Sequence, residues 1–237
     1  MLPITPNAER RPRHIYWQVR KVKWLLIAMA FCCSPSLAAT LSIGAHTGQS
    51  GDVSDDQWRQ VSLAAQQHWH HWQLKISTGW LQRHGADQQP SGQADTWLTA
   101  RYWHKATWMG QHWQSQMRYK VATADDSKAL GSGANEQELR LRAMKPMGDM
   151  WLWYQAGYRW RQSSQRYAMQ DGALWGAGLY KAPISLSYGG RQASQSGSDS
   201  RHHLTLAWQF KQSQWRWTPY ARIGNADSAA VGMTLSF

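Results

Sequence analysis

The stretch VGMTLSF, residues 231–237, carries an apolar side chain at every second position: Val231, Met233, Leu235 and Phe237 alternate with Gly232, Thr234 and Ser236. Successive side chains of an extended strand point to opposite faces, so this is a strand with one apolar face and one small, polar face. Left at the edge of a soluble sheet, such a strand would invite pairing with other chains.

The same period of two recurs upstream. TLSIGAHTG at 40–48 puts Leu41, Ile43 and Ala45 on one face, and WQLKISTGW at 72–80 does so with Trp72, Leu74, Ile76, Thr78 and Trp80. WLWYQAGYRW at 151–160 and RHHLTLAWQF at 201–210 repeat it. Twelve such segments are predicted, near 40–49, 57–67, 72–82, 95–104, 111–122, 136–144, 151–161, 172–180, 184–191, 201–210, 215–223 and 229–237. Beyond residue 40 no apolar run is long enough for a membrane-spanning helix.

Connections between the segments alternate in length. SGDVSDD, HGADQQPSGQ, ATADDSKALGSGAN, QSSQRYAMQDG and QASQSGSDS are long, whereas QHWHH, KPMGD, KAP and KQSQ are short. A soluble sandwich gives no reason for that alternation, whereas a transmembrane barrel has short periplasmic turns, longer outer loops and an even strand number. The predicted fold is therefore all-β: an antiparallel up-and-down transmembrane barrel of about 12 strands. The 17 Trp against 3 Phe agree, because Trp favours the membrane interface, where ring and N–H are both satisfied. Trp58, Trp72, Trp80, Trp113, Trp160, Trp208 and Trp215 stand near predicted strand ends, as two girdles require.

Residues 1–38 read as a signal peptide, leaving 39–237 as the barrel domain. Arg10, Arg11, Arg13, Arg20, Lys21 and Lys23 precede the apolar run WLLIAMAFCC, and SPSLAA offers small residues for cleavage after Ala38 or Ala39. The competing reading, an uncleaved anchor, needs a longer apolar run. Both cysteines, Cys32 and Cys33, lie in this segment, so the remainder has neither a disulfide nor a thiolate metal site. Of 26 Lys/Arg and 14 Asp/Glu, six and one fall in residues 1–38, leaving 20 and 13 and a formal charge of +7.

KVATADDSKALGSG at 120–133, GYRW at 157–160, LSYGGRQA at 186–193 and GSDS at 197–200 together resemble a family of small proteobacterial outer-membrane barrels described as transporter-like, of the phenol meta-degradation pathway type. The resemblance runs from Trp58 to Phe237, with Ala122 and Glu136 departing from the family's usual proline and aspartate. It implies a barrel, a surface address, a motif loop comprising Lys120, Thr123, Asp125, Leu130, Gly131 and Gly133, and an assembly signal in Val231, Met233, Leu235 and Phe237.

With the apolar faces against lipid, the opposite parity lines the interior. That set holds Lys75, Arg101, Arg118, Lys120, Arg140, Arg142, Arg159, Arg161, Arg216 and Arg222, with Glu138 the clearest carboxylate. Asp52, Asp55, Asp56, Asp125, Asp126 and Asp171 fall in outer loops. A basic ladder concentrates anions and favours their passage, so the expected function is a passive channel or transporter for small anionic or polar solutes. The alternative is a structural barrel whose cations pair with Glu138 or with inward-folded loops.

Enzymatic readings find less support. His68, His70 and His71 fall in a short turn, and Ser198, Asp199, His202 and His203 cluster in sequence without converging as nucleophile, base and orienting group. GSGAN lacks a following helix for phosphate binding. No catalytic set, metal or cofactor is assigned, and a lipid-modifying hydrolase remains the least favoured alternative. Expected partners are outer-membrane lipids, the barrel assembly machinery and a small solute. Positive charge alternating into a lumen is a poor match to a nucleic-acid surface.

Overall fold

A computed structural model describes residues 39–50, 56–84, 89–164, 168–195, 197–225 and 228–237. The signal-peptide assignment, Asp52 and Asp55 lie outside them. Twelve antiparallel strands form one closed ring. They are β1 Ala39–Ser50, β2 Asp56–Trp69, β3 Trp72–His84, β4 in two segments (Ser91–Gln93 and Thr96–Trp108), β5 Gln111–Val121 and β6 Glu136–Met147. Then follow β7 Met150–Arg161, β8 Gly172–Lys181, β9 Ile184–Arg191, β10 in two segments (Arg201–Trp208 and Phe210–Gln212), β11 Trp215–Gly224 and β12 Ala229–Ser236.

Each strand pairs with its neighbours in sequence, and β12 pairs with β1, from Ser42 opposite Ser236 to Gln49 opposite Ala229. Closure removes the exposed edge that an apolar terminal strand would otherwise present. The first connection at one end is 70–71, followed by 109–110, 148–149, 182–183 and 213–214, each of two residues. Met109 (φ 54°) and Gly110 (φ 69°) both adopt positive φ, which matches the twist of the flanking strands as a type I′ hairpin turn does. Connections at the other end are longer, the longest being 122–135.

The exterior is apolar. Leu41, Val61, Leu63, Leu74, Met117, Leu139, Leu186, Leu206, Val231 and Met233 are all exposed, and the register places each opposite another outward position. At the turn end the outward side chains include Trp69, Trp72, Trp108, Trp208 and Trp215. Toward the loop end stand Trp80, Tyr158, Trp160 and Tyr188.

Trp58 departs from the expectation of an outward, strand-end tryptophan. It pairs with Gly48 on the inward face, where a Cβ on Gly48 would stand 2.7 Å from its ring. The bare glycine makes room for an indole inside the barrel, an accommodation that parity alone does not reveal. β4 is also longer than predicted. The polar run His104 to Thr107 masks its continuation through a register shift between Trp103 and Thr107, and Ser91–Gln93 adds a short pairing with β3 inside a stretch read as loop.

Candidate functional site

The interior is built unevenly around the ring. On β1, β2, β8, β9 and β12 many inward positions are small, among them Ser42, Gly44, Ser62, Ala64, Gly176, Gly178, Ser187, Gly189, Gly232 and Thr234, beside the larger His46, Trp58 and Arg191. On β3 to β7 they are large and polar. Rows across the strands read Gln73–Arg101–Gln116–Arg140, Lys75–Thr99–Arg118–Glu138–Arg159 and Trp97–Lys120–Glu136–Arg161. All ten cations of the sequence-derived set share the parity opposite to the exposed apolar residues, and eight of them lie on β3 to β7.

Toward the loop end these side chains form an ion network. Glu138 has a fully buried side chain and accepts from Arg118 Nη1 at 3.1 Å and from Arg140 Nη2 at 2.6 Å; it also pairs with Arg159. Glu136 pairs with Lys120, with Arg159 at 3.3 Å and with Arg161 at 3.7 Å. Asp95, in the break between the two segments of β4, lies 3.4 Å from Lys120. The Arg118 guanidinium stacks 4.0 Å from the centre of the Trp97 ring. An Arg so placed gains cation–π attraction along with its ion pair.

The 122–135 connection closes over this network. Lys120 Nζ donates to Ser132 Oγ at 2.5 Å, Ala122 N donates to Asn135 Oδ1 at 3.0 Å, and Ala124 N donates to Asp95 Oδ1 at 3.1 Å. Leu130 and Ala134 are buried. Among the motif-loop residues, Thr123 Oγ1 donates to the Ala94 carbonyl at 3.1 Å, and Asp125 accepts from the backbone and hydroxyl of Ser127. A Cβ on Gly131 would meet Ala124 at 2.7 Å, and Gly133 has φ +65° with its α-carbon against Asp126. The motif is therefore a compact fold docked on β4.

Nearer the middle of the strands the partners change from carboxylates to amides. Arg101 Nε donates to Gln116 Oε1 at 2.7 Å and its Nη1 to Gln73 Oε1 at 2.8 Å. Arg142 Nη2 donates to Gln155 Oε1 at 2.8 Å, with the guanidinium 4.6 Å from the centre of the Trp153 ring. Lys75 has no carboxylate partner among the described residues. On the far wall Arg222 Nε donates to Thr205 Oγ1 at 3.0 Å, while Arg216 is exposed near the turn end.

Several interior groups escaped the sequence reading. Glu136 shares the parity of Glu138 and was legible on that ground. Arg191, opposite Arg201 and Leu174, was legible in the same way. Asp95, Trp97 and the glutamines carried no comparable signal, since a neutral amide on an inward face looks like filler. Of the acidic residues assigned to loops, Asp171 accepts from Arg161 N at 2.7 Å.

His70 and His71 form the β2–β3 turn, and His68 accepts from the amides of Gln66 and Gln73 at 2.8 and 3.0 Å. His202 points outward, its Nδ1 2.5 Å from Tyr188 Oη. A further chain, Ser62 Oγ–His46 Nε2 at 3.0 Å and His46 Nδ1–Tyr220 Oη at 3.0 Å, has the spacing of a nucleophile and base. Its ring lies flat in the space left by Gly44 and Gly232, whose added Cβ atoms would each stand 2.5 Å from it. The orienting group is a phenol, so the arrangement is that of a packed wall.

No protein-family model matches the chain, and no curated protein matches it. Solved structures do. An outer membrane channel from Pseudomonas putida F1 superposes with a TM-score of 0.61 at 11% identity, over 86% of this chain and 96% of that one. The KdgM porin, solved in complex with disordered oligogalacturonate, superposes with a TM-score of 0.52 at 12% identity, over 84% and 99%. At these identities the likeness is one of fold.

Proposed function

We propose that this chain is an outer-membrane channel that passes small anionic or polar solutes through a basic lumen. The observation that carries the reading is the opposition of two surfaces in one closed ring: an apolar exterior and an interior bearing ten Lys and Arg from the sequence-derived set against Glu136 and Glu138. An apolar band around a polar interior is what a bilayer demands of a barrel, and positive charge along a narrow path favours anions. The channel and porin named above share this architecture.

In this reading residues 1–38 direct export and are removed, and the assembly machinery recognises the strand ending at Phe237. The aromatic side chains at the two strand ends occupy the two membrane interfaces, with the long loops outward. The motifs from Lys120 to Ser200 support placing the chain with the phenol meta-degradation type of outer-membrane protein. Planar-bilayer recording of the purified barrel tests the function: conductance with a reversal potential set by the anion is expected. Silent bilayers or cation preference would overturn it.

A second reading has its own support. The Glu136–Glu138 network and the docked 122–135 connection occupy the loop end of the lumen, as in a barrel plugged by its own side chains. Silent bilayers that become conducting when that connection is removed would favour it.

A further inference from the structure

The interior cations fall into two groups that differ in what neutralises them. Around Glu138 and Glu136 every cation has a carboxylate: Lys120, Arg118, Arg140, Arg159 and Arg161 are all within 4 Å of one. Arg101 and Arg142 have none among the described residues. Each is held by glutamine carbonyl oxygens, which orient a guanidinium without cancelling its charge.

The holding is firm. Gln73 and Gln116 are buried, and Gln73 is itself fixed, its amide donating to His68 at 3.0 Å while its carbonyl oxygen accepts from Arg101. Arg142 is stacked on Trp153. A guanidinium has five N–H donors; two on each of these arginines go to glutamine. The remaining donors face the lumen, beside the neutral Gln114, which separates Trp103 from Arg142 in its row. Lys75 lies on the same wall, in the next inward row of β3 after Gln73.

Oriented, uncancelled guanidinium groups with spare donors are what oxyanion recognition requires, because carboxylate and phosphate oxygens accept from the planar fork in pairs. We propose that Arg101, Arg142 and Lys75 form a mid-lumen site for a small oxyanion, a phosphate or a carboxylate-bearing solute. The cluster around Glu138 is not part of it: there the anionic role is already filled by the chain's own carboxylates. This site rests on the reading of the barrel as having a solvated lumen.

The test is calorimetric titration of the folded, full barrel in detergent with inorganic phosphate and, separately, with succinate. Saturable binding of at least one is expected, and whichever binds more tightly identifies the oxyanion class. R101Q/R142Q, with folding checked by heat-modifiable mobility, should bind at least about tenfold more weakly, since losing a charge-assisted hydrogen bond amounts to a decade or more. K145Q/K181Q, at exposed lysines of the outer face near the turn end, should bind as the unmodified barrel does. If the double variant does not fold, R101Q and R142Q singly carry the same expectation. Unchanged affinity in these variants, equal loss in K145Q/K181Q, or no saturable binding of either anion would overturn the site. Bilayer recordings separate this from the channel reading: binding without conductance removes the channel and leaves the site, and conductance without binding does the reverse.

Discussion

Leu41 and Phe237 exchange backbone hydrogen bonds, Leu41 N donating to Phe237 O at 2.9 Å and Phe237 N to Leu41 O at 3.0 Å. They are the last rung of the seam between β1 and β12. The Phe237 ring also packs 5.0 Å from that of Trp215 on β11. Deleting Phe237 removes both bonds and the ring contact at the turn end. Export should be unaffected, while the amount of folded barrel in the outer membrane falls severalfold, read as heat-modifiable protein in membrane fractions. Wild-type levels would show that Phe237 carries no assembly address.

Glu138 has a completely buried side chain, and it holds Arg118, Arg140 and Arg159. Replacing it with glutamine keeps the shape, leaves Arg118 and Arg140 without a carboxylate, and leaves Arg159 with Glu136 alone. Breaking a buried pair from one side costs on the order of 3 kcal/mol. The denaturation midpoint of Glu138→Gln in micelles should fall accordingly, and an unchanged midpoint would mean that water already screens the cluster.

The 122–135 connection covers the loop end through Leu130, Ala134 and the bonds from Ala122 and Ala124. Replacing residues 123–134 with a short Gly-Ser linker should raise single-channel conductance while the barrel still folds, because strand pairing is untouched. Equal conductance before and after would place the narrowest point elsewhere, with the row of Arg101 and Arg140 as the next candidate.

Asp149 and Lys181 pair at 2.7 Å across the turn end, both well exposed. The hydrogen bond from Lys181, and then its charge, hold the Asp149 carboxyl below the ordinary value of 3.8. A lowered folded-state pKa means that the pair contributes above the ordinary carboxylate range and that the contribution is lost as pH falls through the lowered value. Exposed pairs contribute little. Asp149→Asn should therefore leave the thermal midpoint at neutral pH within error, and any difference from the parent should shrink as the pH falls through the lowered carboxyl pKa. A difference that grows on acidification would contradict the assignment.

Much of this protein was settled by alternation along the chain. A strand has a side-chain period of two, so the same parity that put Leu204 and Leu206 outward put Arg140 and Arg142 inward, and all twelve strands could be placed before any pairing was known. The terminal strand VGMTLSF needed only the closing partner that the ring supplies at residues 42–49. Which interior charges cancel was a different question, because it depends on neighbours across strands. Glu138 meets Arg118 and Arg159, each some twenty residues away in sequence, only because the β5–β6–β7 register puts them in one row. Asp95 reaches Lys120 through a break in β4, and the inward Trp58 finds room because Gly48 stands opposite. Parity is a local property of the backbone and survives in the sequence; neutralisation is a contact between strands, and only the closed barrel decides it.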